Sequence, residues 1–185
     1  MGVEKQHYVV GLMFDKKMEN VVLIEKRHGP KCVIGKLNGV GGHIEPGIPH
    51  QAEQDDVVGR PNCPCGCRPR EKPRHAMARE FLEETGVETS PADWTYFCEL
   101  TGEDFVVYLF WATSDEAVLR VATKTDEPVH VLPVSRLIWN SSNQRHLCPN
   151  LNWMIPFLVD RSTARGFVRV TATYKKDDST TTFQA

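Results

Sequence analysis

The chain predicts an α/β fold with a mixed sheet between helices, and three observations carry that expectation. Stretches at 8–14, 21–27 and 105–112 are strand-length runs rich in apolar, β-branched and aromatic residues. The stretch 73–86 has the punctuation of a helix: Pro73 suits a first helical position, where its missing N–H costs nothing, and Gly86 suits the left-handed residue just past the end. Upstream of that helix lies a glycine-rich turn, 39–47, and the other elements read as support for this pair.

Taken in order, 8–14 is apolar almost without interruption, as expected of a strand buried on both faces. A polar connection, 15–20, leads to the strand 21–27, whose end delivers Lys26 and Arg27 beside the glycine turn. Such cations are either solvated strand-end charge or contacts for a substrate phosphate, which a guanidinium can grip with two hydrogen bonds. A loop through Gly29 and Pro30 leads to Lys36, Leu37 and Asn38, and an asparagine here can satisfy turn backbone. Beyond the helix, 94–100 reads as a strand, 101–104 as a turn and 105–112 as the strongest strand of the chain. Thr125–Pro128 reads as a turn before a short strand at 129–132. A helix over 149–160 is expected despite Pro156, with Trp153 packed in the core, then a last strand at 167–174 and a frayed polar tail. One domain therefore spans 1–175, followed by a tail at 176–185.

With 41% hydrophobic and 25% charged residues among 185, the composition is that of a globular protein with one substantial core. A net charge of −2 gives no electrostatic case for nucleic acid or membrane as partner, so any nucleotide contact must come from local groups. No apolar run approaches a membrane span, and the first residues lack a signal-peptide pattern. The six cysteines are Cys32, Cys98, Cys148 and a cluster of Cys63, Cys65 and Cys67, a distribution that favours a reducing cytoplasm over a disulfide framework. The C-x-C-x-C cluster could bind Zn²⁺ with His50 or Cys32 as fourth ligand. Structural zinc sites usually show two separated pairs, however, so a reduced surface loop is the favoured reading.

The helix carries Glu80, Glu83 and Glu84 at i, i+3 and i+4, so its carboxylates project from one face. Like charges at that spacing repel, and helix formation does not ask for them. An acidic solvated face partly compensated by Arg79 is the ordinary reading. Beside a Gly-Gly turn, the same cluster is what a hard divalent cation needs, since Mg²⁺ binds a few carboxylates and takes the rest of its shell from water and phosphate.

At these residues the chain resembles the Nudix hydrolase family, with the signature G-x5-E-x7-R-E-U-x-E-E-x-G-U, U being aliphatic. The second half runs from Arg79 to Val87, with Phe81 at the first U. Counting five residues on from Gly42 reaches Ile48, which cannot be a ligand, whereas counting back across seven residues from Arg79 reaches Glu71. Residues 48–70 therefore read as an insertion splitting the signature. The resemblance covers roughly 7–174 and is closest to the MutT-like nucleotide-sanitising branch through 36–42. It implies an α/β/α sandwich and Mg²⁺, with Mn²⁺ as a substitute. Glu80, Glu83, Glu84 and the Gly41 carbonyl would hold the metal, Glu71 would assist, and Arg79 would fix the carboxylates. Glu84 or Glu127 would orient or deprotonate water, Glu127 also completing the metal site. Asn38 would read a purine edge, and Asn150 and Leu151 stand where that branch keeps base-reading acids. The implied partner is a small nucleotide, most simply a (deoxy)nucleoside triphosphate, its base an oxidised purine in that branch, cleaved to monophosphate and pyrophosphate. An ADP-ribose or nucleotide-sugar pyrophosphatase and a non-catalytic nucleotide sensor are the alternatives. Base identity and oligomeric state are left open by the sequence.

Overall fold

The computed structural model describes residues 5–29, 31, 33–47, 70–139 and 146–160, together with the backbone of 168–175 and 178–184. The expected strands form, as β1 (Gln6–Phe14), β2 (Asn20–Glu25), β4 (Thr95–Thr101), β5 (Phe105–Thr113), β6 (Val129–Pro133) and β7 (Val168–Lys175), and two more that the sequence did not announce join them, the short β3 (Leu37–Asn38) and β8 (Asp178–Gln184). The helices are α1 (Pro73–Thr85), α2 (Asp115–Arg120), α3 (Val134–Trp139) and α4 (Leu151–Val159).

The sheet is mixed and runs β3-β2-β1-β5-β4-β7-β8, with β6 on β2. β1 lies parallel to β5 along its whole length, from Gln6 opposite Phe105 to Phe14 opposite Thr113. That central position explains its unbroken apolar run. Val10, Leu12 and Phe14 enter one core with Leu151, Met154 and Leu158 of α4 and Leu137 of α3. Val9 and Met13 enter the other, with Ala76, Met77 and Phe81 of α1 and Ala117 and Val118 of α2. The alternation follows from the two-residue repeat of a strand, and it makes the molecule an α/β/α sandwich.

Three expectations need correction. The second strand ends at Glu25, so Lys26 and Arg27 stand beyond the ladder. Helices α2 and α3 were not foreseen, although Ser114 caps α2 by accepting from the Ala117 N–H and Asp115 and Glu116 occupy its first turn. The polar tail is not frayed throughout, because β8 pairs antiparallel with β7, Ala172 opposite Phe183 and Thr173 opposite Thr182. Backbone pairing does not need apolar side chains, and β-branched threonine suits a strand. The zinc candidates Cys32, His50, Cys63, Cys65 and Cys67, and residues 48–69 of the expected insertion, lie outside the described residues.

Candidate active site

Helix α1 is fixed at its end before its carboxylates are placed. Gly86 adopts a left-handed conformation (φ 73°) and its N–H reaches the Leu82 carbonyl, while the Ala122 and Lys124 N–H groups reach the carbonyls of Thr85 and Glu84 at 3.0 and 3.1 Å. The last carbonyls are thereby satisfied by the chain that follows β5. With Ala76, Met77 and Phe81 fully buried on the sheet, Glu80 and Glu84 turn toward the glycine loop.

That loop is stitched to β1 on its other side, the Gly11 and Val9 N–H groups donating to the carbonyls of Val40 and Gly42 at 2.8 and 2.9 Å. Gly41 has φ 154°, and a Cβ there would lie 2.1 Å from the Val9 carbonyl oxygen. A Cβ on Gly42 would lie 2.6 Å from a Glu80 carboxylate oxygen. The two glycines are thus required by close approach, and they let the Gly41 N–H donate to Glu84 Oε2 at 3.1 Å.

Arg79 ties the acids together. Its Nε and Nη2 donate to the two oxygens of Glu71 at 3.0 and 2.9 Å, and its Nη1 donates to Glu80 at 2.8 Å and Glu83 at 3.0 Å. Nη2 also reaches the His43 carbonyl at 2.9 Å. The fork geometry of guanidinium makes this possible where an ammonium could not do it. Hydrogen bonding to Glu71 pushes the guanidinium pKa up, so Arg79 stays charged. Burial works against the Glu71 charge, yet Arg79 and the Glu45 N–H hold its carboxyl below the usual range.

Glu84 is buried, and burial pushes its carboxyl up to about 7, Lys26 and the Gly41 N–H opposing and the charges of Glu80 and Glu127 adding. Burial raises Glu80 as well, against the pull of Arg79. Among the described residues, no three His, Cys, Asp or Glu side chains already converge to hold a metal ion. Arg79 takes an oxygen of both Glu80 and Glu83, and both oxygens of Glu71. The donor chemistry nevertheless fits. Glu80, Glu83, Glu84 and the Gly41 carbonyl offer oxygens alone, and two of these acids are driven toward the protonated form by crowding and burial that a divalent cation would relieve.

Glu127 also reaches this group, but in a different state. Its Oε2 accepts from Lys26 Nζ at 2.5 Å, and its Oε1 accepts from the N–H groups of Arg27 and His28 at 2.8 and 3.2 Å. Burial would raise its pKa, but these partners hold it below the ordinary value. Arg27 itself is exposed. Asn38 stands opposite Ile24, so it shares the face of the sheet on which α1 packs, and its Oδ1 is buried with no hydrogen-bond partner among the described residues. Asn150 is not brought to the carboxylates. It heads α4, which packs on the opposite face, although the segment before it runs beside β3, with the Leu37 N–H donating to the His146 carbonyl at 2.7 Å. Trp153 is half-buried and packs against that core.

A cavity of about 390 Å³ lies at the other end of the α1 face, lined by Val87, Thr89, Trp111, Ser114 and Arg120 among others, and contains none of these groups. Two contributors had gone unnoticed: the His43 carbonyl, and Glu45, whose N–H and carbonyl both bond to Glu71 at 3.1 Å. Both act through backbone atoms, which residue type does not advertise.

No family model matches the chain, and no curated protein matches it. Solved structures do. The mutator protein MutT of Bacillus halodurans superposes with a TM-score of 0.58 at 14% identity, over 93% of this chain and 92% of its own. A NUDIX hydrolase from Nitrosomonas europaea gives 0.54 at 15%, over 94% and 82%. A MutT protein from Methanosarcina mazei gives 0.54 at 17%, over 89% and 99%. The α/β/α sandwich built here around a glycine turn and an acidic helix is the fold of the MutT and Nudix structures.

Proposed function

We propose that the chain is a Nudix-type hydrolase that cleaves a phosphoanhydride bond in a nucleoside diphosphate linked to another group, most simply a (deoxy)nucleoside triphosphate, to the monophosphate and pyrophosphate. The observation that carries this reading is the meeting of Glu84 and Glu80 with the Gly41-Gly42 turn, Lys26 alongside. Hydrolysis of a phosphoanhydride demands neutralised phosphate charge and an oriented water. Mg²⁺, or Mn²⁺ in its place, held by Glu80, Glu83, Glu84 and the Gly41 carbonyl, would supply the first. Glu84, buried beside the glycine turn with its Oε2 on the Gly41 N–H, is placed to orient the water or take its proton. Arg79 keeps the acids in place, Glu71 anchors Arg79, Lys26 and Arg27 meet the phosphates, and the buried oxygen of Asn38 offers an acceptor to a base N–H.

In this reading the signature is split, Glu71 filling its first acidic position and 48–70 forming an insertion in a single domain. The doubly bonded pair of Glu45 and Glu71 supports it, because the chain leaves and returns at one point. Among the described residues, no helix is long and apolar enough to cross a membrane.

The deciding experiment is a panel of nucleoside triphosphates, ADP-ribose and nucleotide sugars incubated with Mg²⁺ or Mn²⁺, with products separated by anion exchange. Monophosphate plus pyrophosphate from a triphosphate supports the proposal. Preferential cleavage of ADP-ribose or a sugar nucleotide moves the assignment to that class, and binding without turnover of any compound would leave a sensor.

A further inference from the structure

Resting on that reading, we propose that Glu127 is a positioning residue: it holds Lys26 and the turn after it in place to receive substrate phosphate, and is neither the base nor a metal ligand. The argument begins with where the sheet stops. β2 ends at Glu25, whose N–H donates to the Pro128 carbonyl at 2.9 Å, and β6 begins only at Val129. Past that point the Arg27 and His28 N–H groups have no neighbouring strand to accept from them. Glu127 Oε1 takes the place of the missing strand, and Oε2 takes the Lys26 ammonium. Both oxygens are therefore committed to this chain's own donors, on a residue only 5% exposed. An exposed pair between His28 and Asp126, at 2.6 Å, ties the same two segments once more.

Lys26 has few ways to turn. Its N–H and carbonyl bond to the Lys36 carbonyl and the Gly35 N–H at 2.9 and 2.8 Å, so its backbone is fixed on the β3 side. Its side chain, 18% exposed, is held by Glu127 and also senses the charge of Glu84. Removing Glu127 would free this ammonium and take away the acceptor of the Arg27 and His28 N–H groups. No acid on α1 bonds to Glu127, so their hydrogen bonds would stay in place, and Glu84 would feel only the loss of one nearby negative charge.

The test uses the full chain with Glu127→Gln, Lys26→Met and the double variant, assayed on whichever triphosphate the parent cleaves. Glu127→Gln should raise KM about tenfold and leave kcat within about threefold, the signature of lost binding shared by ground and transition states. In the Lys26→Met background it should add less than about twofold, because both changes act through one ammonium. Mn²⁺ counted by electron paramagnetic resonance without nucleotide should be the same in Glu127→Gln and parent. Amide exchange at Arg27 and His28 should quicken in Glu127→Ala. A fall in kcat of about a hundredfold at unchanged KM, a lost Mn²⁺, or effects that multiply in the double variant would overturn the proposal. If the parent cleaves no nucleotide, the hydrolase reading fails, while the Mn²⁺ count and the exchange rates still decide the role of Glu127.

Discussion

Glu84 and Asn38 are in opposite predicaments, one an acid crowded by other acids and the other an acceptor with no donor among the described residues. Replacing Glu84 with glutamine keeps the shape and the bond from Gly41 but removes the charge and the basicity, and kcat/KM should fall at least about 10²-fold in the nucleotide assay. An unchanged rate with Mg²⁺ present would remove Glu84 from the chemistry. At Asn38 the buried Oδ1 has no partner among the described residues, an arrangement that costs stability and is relieved when a donor arrives. Asn38→Leu should therefore unfold no earlier than the parent, yet bind a purine nucleotide about 1–3 kcal/mol more weakly while leaving a pyrimidine nearly untouched. Equal losses for every base, seen by calorimetry, would reduce the residue to a strand position. The acid-rich face could be read from the sequence because Glu80, Glu83 and Glu84 share one side of a helix. The arrangement of Glu127 could not, because its partners include N–H groups about a hundred positions upstream, and any residue type carries an N–H.

At the level of elements, the neck between Glu45 and Glu71 makes a sharp prediction. The Glu71 N–H already donates to the Glu45 carbonyl, at 3.1 Å. If Gly47 is joined directly to Glu71, the sequence becomes Glu-Pro-Gly-Glu, with proline and glycine in the two central places that a type II turn prefers. The bond that closes such a turn would be the one present now. The shortened protein should fold, hydrolyse with Mg²⁺ whatever nucleotide the parent hydrolyses and show a melting temperature within a few degrees of the parent, since loop length enters closure entropy only logarithmically, about 0.6 kcal/mol per doubling. A folded but inactive product would make 48–70 a working part of the site. Helix α1 was legible from Pro73 and Gly86, which mark its ends as the structure has them. The start signal of α2 at Ser114 was equally present, but a six-residue helix offers too few turns for its periodicity to stand out. β8 was not legible because its pairing rests on backbone bonds to β7 and not on an apolar pattern.

For the molecule as a whole, the raised acids set an unusual response to pH. Burial pushes Glu84 in the folded protein up to about 7, above the ordinary carboxylate range, so between that range and pH 7 the folded protein binds more protons than the unfolded chain. Stability of the metal-free protein should rise as pH is lowered from 7 toward 5, by about 2 kcal/mol. Glu71 and Glu127, whose folded pKa values are lowered, act the other way, but only below the ordinary carboxylate range. Saturating Mg²⁺ should flatten or reverse the trend, because cation and proton compete for the same oxygens. Thermal melts across pH 5–7 with and without Mg²⁺ check this, and a metal-free protein that loses stability on acidification in that window would refute it. Finally, a chain whose exit and return are joined by two hydrogen bonds need not be continuous between them. A single cut placed between Gly47 and Arg70 should leave two fragments that stay associated through β1, the glycine turn and α1. Expressed separately, 1–47 and 70–185 should find each other and rebuild one folded unit.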